Sequence, residues 1–524
     1  MRVEKQACVA SGHELVTKTA HKILKEGGNA FDAVVAAGVV SSIAEPTLTS
    51  LGGGGFLLAR TADGDTTLFD FFVNTPGLGR TQRELTPHFF PVTIEFPGCH
   101  QDFNIGMGSV AVPGNIKGFL HVHERLGRLP LKTCLEPAIE LARNGVTLNH
   151  HQAYFNSLLE PILTLSTEGK SLYAPGGRYL QEGDLFRNPW LASFLEELAR
   201  EGDALFYQGL APDIEKAMDE GQGMLTARDL EEYRVIERSP LRTEYRGHTF
   251  LTNPPPSFGG WLICLGLNCL NAIELSGIEF GSKEHLVIMS HFLREWDELR
   301  SKCHEDPGCS HMEGVRSRLK RLFSRGTTHI SVVDYEGNAA SMTTSNGEGS
   351  GYIVPGTGIM LNNMMGEDDL HPNGFHQSPP GIRVSSMMAP SMLIQGAGGR
   401  SASSLLLVLG SGGSKRIRSA ILEVLSYCLD FGMNIEEAVN APRIHYEEGV
   451  FQLEPGFPET SIEVLGHGEE YGNENINIWS DINVYFGGVN AIDVRAMTAK
   501  ADPRRGGFEL CMEMNPETDR QDTR

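Results

Sequence analysis

The chain has 524 residues, with 44 Lys and Arg set against 66 Asp and Glu, for a net charge of −22 and a pI near 5.3. A surface this acidic argues against phosphate backbones and anionic membranes, so neither nucleic acid nor a membrane is expected as a partner. Nine cysteines, an odd number in a long chain, fit reduced thiols better than a disulfide framework.

The first residues lack the apolar run of a secretion signal. No stretch approaches the roughly 18 apolar residues that cross a bilayer, and the chain reads as soluble, intracellular and cytoplasmic. HELVTKTAHKILKE, residues 13–26, has helical spacing and stops at Gly27-Gly28. Asn29 opens a second, more apolar helix running towards Glu45-Pro46, and TLTSLGGGGFLLAR then turns through four glycines into a strand. Helical segments such as LKTCLEPAIELARNG and PWLASFLEELAREG follow, and NPPPSFGG at 253–260 is a turn leading into another helix. Residues 301–326 are charged and irregular and read as an exposed connector. Within it Cys303 and Cys309 flank His304 and Glu305, but the paired spacing of metal ligands is missing, so a loop is expected and no metal.

Beyond the connector the pattern changes. HISVVD, the turn YEGN, and AASMTTS alternate as a β-hairpin. SSLLLVL at 403–409 reads as a buried strand, GSGGS as a tight turn and KRIRSAILEVLSYCLDFG as a helix, and the last nine residues are polar and expected to be mobile. Helices fill most of the first 300 residues and strands most of the remainder, an α+β composition.

Four features could carry chemistry. Gly326-Thr327-Thr328 heads the hairpin. A threonine becomes a nucleophile with its own base when the chain is cut before it, because its α-amine is then free. The plainer reading is a β-branched pair starting a strand. Gly412 and Gly413, between a strand and a helix, fit a small oxyanion or carboxylate, or simply a tight turn; the spacing matches neither nucleotide-binding glycine motif. Ser385-Ser386 offers two hydroxyls, and Glu367, Asp368 and Asp369 form an acidic turn that is either solvated or a site for an amine. His329 reads as a packed histidine.

Taken in order, EGGNAFDAVVAAGVV, EPTLTSLGGGGFLLAR, GSVAVPGNIKGF, TTHISVVDYEGNA, GIMLNNMM, SSMMAPSM, GSGGSKRI, NAPRIHYE and ADPRRGG resemble the γ-glutamyltransferase (glutathione hydrolase) family of N-terminal-nucleophile hydrolases. The resemblance implies a four-layer αββα sandwich and a precursor that cuts itself between Gly326 and Thr327. Residues 1–326 would form a large subunit and 327–524 a small one, associated as a heterodimer. It implies Thr327 as nucleophile and base, Gly412 and Gly413 as oxyanion hole, and Thr344 with Asn346 as the second threonine motif, Ser345 standing as the alternative to Thr344. Ser385, Ser386 and Glu367 would bind the donor. No cofactor is implied; the substrates would be a small γ-glutamyl donor, with water or an amino acid as acceptor.

Two departures bear on specificity. The family's arginine for the donor carboxylate is absent from Asp70-Phe71-Phe72-Val73-Asn74-Thr75-Pro76, with Arg383 the candidate replacement. The segment from Leu370 to Ile382 is short for a lid, which favours hydrolysis over transfer. An amidase or acylase for monoamides of small dicarboxylic acids is therefore the alternative. A non-catalytic nucleotide- or carboxylate-binding protein is the third reading.

Overall fold

A computed structural model describes residues 6–80, 88–96, 99–303, 326–367, 370–371, 374–396, 405–447, 449–467 and 475–513. His304, Glu305, Cys309, Asp368, Asp369, nearly all of the 301–326 connector and the last nine residues lie outside them.

The two largest sheets organise these residues. The larger has seven strands in the order Phe508–Glu513, Gln6–Ser11, Thr328–Val333, Ala339–Ser345, Gly54–Arg60, Thr66–Phe71 and Ile236–Arg238, every neighbouring pair antiparallel. The smaller has six, in the order Thr498–Lys500, Gly488–Asp493, Leu405–Gly412, Ser391–Gln395, His248–Thr252 and Leu241–Tyr245. The expected hairpin is the pair Thr328–Val333 and Ala339–Ser345.

Period-two alternation sorts the larger sheet's side chains into two apolar groups. Cys8, Ala10, Phe56, Leu58 and Val333 join a core with the smaller sheet and with helices Phe258–Asn271, Lys283–Cys303 and Ile417–Leu429. Ala7, Val9, Leu57, Ala59, Ile330 and Val332 join another, with helices Ala30–Ala44, Asn115–Leu126, Leu131–Asn144 and Pro189–Glu201. The Ala30–Ala44 helix is buried along its whole length, as its lack of a polar face anticipates. Asn29 caps it, reciprocated by Asp32.

Polar bridges stitch the two sheets together. Ser341 Oγ donates to the Leu409 carbonyl (3.0 Å) and accepts from Ser391 N (3.0 Å), while Asn490 Nδ2 donates to the His329 carbonyl (2.7 Å). Among the described residues no helix is long and apolar enough to cross a membrane.

The expectation of reduced thiols is overturned at one pair. Cys8 and Cys511, opposed on neighbouring strands, form a disulfide. The cysteine count gave no hint of it, because the two residues meet only through the pairing of the first and last strands among the described residues.

Glu423, on the Ile417–Leu429 helix, is a buried carboxyl that accepts from Ile444 N (3.0 Å). Burial pushes it up to about 8, with the nearby Arg443 and Arg504 pulling the other way. The folded state thus holds a proton that the unfolded state releases between its ordinary value of 4.5 and about 8, so this group's contribution to stability falls as pH rises through that window. Melting curves of wild type and Glu423→Gln from pH 5 to 8.5 are expected to show a shallower decline in the variant; equal slopes would mean that Glu423 does not titrate there.

Candidate active site

Thr327 sits one residue before the Thr328–Val333 strand and is buried to 5% exposure. Thr328 lies opposite Thr344 and His329 opposite Thr343. Directly opposed residues of an antiparallel pair share a face. Thr344 therefore shares the face of Thr328, one step out of phase with Thr327, and its hydroxyl accepts from Thr49 Oγ1 (3.0 Å). The assignment of Thr344 to the site is corrected accordingly. Ser345 takes the place: its Oγ donates to the Gly326 carbonyl (2.5 Å) and accepts from Gly347 N (3.1 Å).

Gly326 is glycine for a steric reason. A Cβ there would stand 2.2 Å from the Gly347 carbonyl oxygen and 2.6 Å from that of Thr47, both backbone atoms that cannot swing aside. Gly412 presses on the other side of the threonine, where a Cβ would meet the Thr327 carbonyl oxygen at 2.4 Å. Gly413 follows at φ +123° and Ser414 at φ +51°, so the chain turns through two left-handed residues before the Ile417–Leu429 helix. A non-glycine residue in that region stores strain of the kind found at functional turns.

A cleft of about 360 Å³ opens here, lined by Phe72, Thr327, Ser345, Met364, Glu367, Leu370, Ser386, Met387, Met388, Ser414 and Ile417. Glu367 is held in it by the Met364–Gly366 turn. Asn362 fixes that turn, donating to the Gly52 and Ala111 carbonyls and accepting from Ala111 N and Met364 N. Ser386 lines the cleft, its Oγ accepting from Met388 N (3.1 Å). Ser385 does not line it; its hydroxyl turns towards the Leu370 carbonyl (3.4 Å). Asn346 is buried beside Ser345, off the lining, with its Oδ1 lacking a partner among the described residues.

Arg383 does not replace the missing arginine. It is buried away from the cleft. Its Nε pairs with Asp70 (3.0 Å), one Nη donates to the Phe72 carbonyl and Asn74 Oδ1, and the other to the Asp70 and Arg234 carbonyls. At the expected arginine position Phe72 lines the cleft, its ring stacked on Phe56 with centroids 5.3 Å apart.

His329 is the packed histidine expected from the sequence. It is fully buried, bonded to Thr343 and Ser331 hydroxyls, and pushed down by burial to about 3.

Two charged groups that sequence reasoning did not assign flank the threonines. Arg505 Nη1 donates to the Thr327 carbonyl (3.3 Å). Glu45 is buried and its two oxygens accept from Thr328 Oγ1 (3.1 Å each); burial pushes its carboxyl up to about 7, while Thr328 and the Arg505 charge oppose the rise. Both residues fall in segments that carry the family resemblance, EPTLTSLGGGG and ADPRRGG, yet nothing in their spacing tells that they converge.

The two sheets, the buried threonine at a strand head and the glycine turn against it make up an α+β architecture. The cephalosporin acylase from Bacillus halodurans superposes with a TM-score of 0.80 over 97% of this chain and 96% of that one, at 24% identity, a likeness in fold. In sequence, the family described as Gamma-glutamyltranspeptidase matches residues 16–323 and 311–512, and the chain belongs to it. It is 30% identical over 510 residues to the glutathione hydrolase proenzyme of Escherichia coli (strain K12), covering 88% of this chain and 85% of that protein. It is 32% identical over 490 residues to the acylase ACY 1 proenzyme of Pseudomonas sp. (strain SE83), covering 87% and 85%.

If Arg383 anchors Asp70, removing it leaves that buried carboxylate with Arg238 (2.8 Å) as its remaining cationic partner, a loss expected to fall below the about 3–5 kcal/mol of a wholly unpaired buried charge. Arg383→Gln is expected to lower the denaturant midpoint; a variant of unchanged stability with a selectively raised KM would restore it as a substrate ligand.

Proposed function

We propose that this protein is a self-processing γ-glutamyl hydrolase and transferase whose nucleophile is Thr327, freed by a cut after Gly326. The observation that carries the reading is the contact of Ser345 Oγ with the Gly326 carbonyl, beside a threonine that lines the cleft. A hydroxyl donating to that carbonyl stabilises the charge that develops when Thr327 Oγ attacks it. After the cut, the Thr327 α-amine serves as base for attack on a donor amide, an α-amine ordinarily titrating at about pH 8. The oxyanion then rests on the Gly412 and Gly413 amides, worth about 3 kcal/mol per donor in comparable sites. Glu367 and Ser386 bind the polar end of the donor, and water or an amine releases the acyl group.

The whole forms a four-layer αββα sandwich in this reading, with 1–326 and 327–524 as its large and small subunits. Strand order supports their staying together. Gln6–Ser11 of the first lies between Phe508–Glu513 and Thr328–Val333 of the second, and both sheets contain strands from each.

A second reading keeps Thr327 and changes the donor to a monoamide of a small dicarboxylic acid. Phe72 favours it, because the described lining carries an aromatic ring where a guanidinium would grip an α-carboxylate, and no Lys or Arg.

Intact mass and N-terminal sequencing are expected to reveal a second N-terminus reading Thr-Thr-His-Ile, absent from Thr327→Ala, which stays folded, uncut and inactive. A fully active alanine variant would sink the mechanism. On matched anilides, kcat/KM is expected to be higher for the γ-glutamyl than the glutaryl donor; the opposite order moves the assignment to the second reading. Phe72→Arg should raise the γ-glutamyl preference about 10-fold or more, the worth of a charge-assisted contact.

A further inference from the structure

The Cys8–Cys511 disulfide joins residues 503 positions apart, directly opposed on the antiparallel strands Gln6–Ser11 and Phe508–Glu513. Opposed positions on such strands bring two Cβ atoms within bonding reach. Phe508–Glu513 is the edge of the seven-stranded sheet; Cys8 is fully buried and Cys511 exposed. Cys134, Cys264, Cys269 and Cys428 are free. A cut between Gly326 and Thr327 leaves Cys8 on one piece and Cys511 on the other.

We propose that the Cys8–Cys511 disulfide is a covalent tether between the two subunits of the processed protein, opened by thiol reductants reaching the sheet edge. The proposal rests on the processing reading above for the position of the cut. The bond forms by exchange with a small-molecule disulfide. The two thiols give up two protons and two electrons through a mixed disulfide, and the co-reactant leaves as two thiols. A dithiol such as dithiothreitol reverses the step and is itself oxidised to a cyclic disulfide. While the tether is closed, the subunits face each other at a high effective concentration whatever the dilution; once open, their association follows mass action.

The test is denaturing electrophoresis of the purified full-length protein, free thiols alkylated, with and without dithiothreitol. One species near 57.3 kDa without reductant and two fragments with it is the expected result. Two fragments in both lanes would mean cutting without a tether, and would overturn the proposal while leaving the processing reading intact. One species in both lanes would mean no cut, overturning the processing reading and the tether with it; peptide mapping without reductant then reports on the disulfide alone. Cys511→Ser, remote from the threonine, is expected to give two fragments in both lanes. Persistence of the unreduced 57.3 kDa species in that variant would place the link elsewhere and overturn the assignment. Reduction of wild type is further expected to make the melting temperature depend on protein concentration.

Discussion

The candidate site depends on one hydrogen-bonded register, the pairing that sets Thr328 opposite Thr344. It decides which face each hydroxyl occupies. A shift of one residue would turn Ser345 away from the Gly326 carbonyl and bring Thr344 to it. The register is held from both sides, since Thr328–Val333 also pairs with Gln6–Ser11 and Ala339–Ser345 also pairs with Gly54–Arg60. Central strands buried on both faces have little freedom to slip.

Backbone crowding does the rest. Gly326, Gly347 and Gly412 each lie where a Cβ would strike another residue's polar atoms. At Gly347, φ +61°, those atoms are Asn363 Oδ1 and Glu367 Oε1, at 2.0 and 2.3 Å. Glycine here serves proximity: two main chains and a carboxylate meet around one threonine. Three methionines, Met364, Met387 and Met388, line the cleft beside this crowded backbone, and their unbranched side chains fill irregular space.

Local patterns in the sequence were enough for the elements. The capped Ala30–Ala44 helix, the Thr328–Ser345 hairpin and the buried Leu405–Gly412 strand stand where alternation, caps and turns put them. Thr327 and Ser386 were legible as cleft residues only because several motifs in order carried a family resemblance. What remained hidden was set by partners far along the chain. Thr344 and Ser345 differ by one position, and only the strand register tells which faces the threonine. Arg383 looks available in the sequence, and its commitment to Asp70 is visible only when strand Thr66–Phe71 is beside it. Cys8 and Cys511 are the extreme case, separated by 503 positions and joined by the closing of a sheet.

Arg505 and Glu45 bear on what a cut would do to the strand. A new chain end ordinarily frays, since its first residues lose a covalent neighbour and regain backbone freedom worth about 1–2 kcal/mol each. Here the carbonyl of the first residue is bonded to a buried guanidinium, and the side chain of the second to a buried carboxyl. The terminus would be created already docked. In that reading its ordering would be settled as the uncut chain folds, and attack on a substrate would not wait for a loose end to find its place.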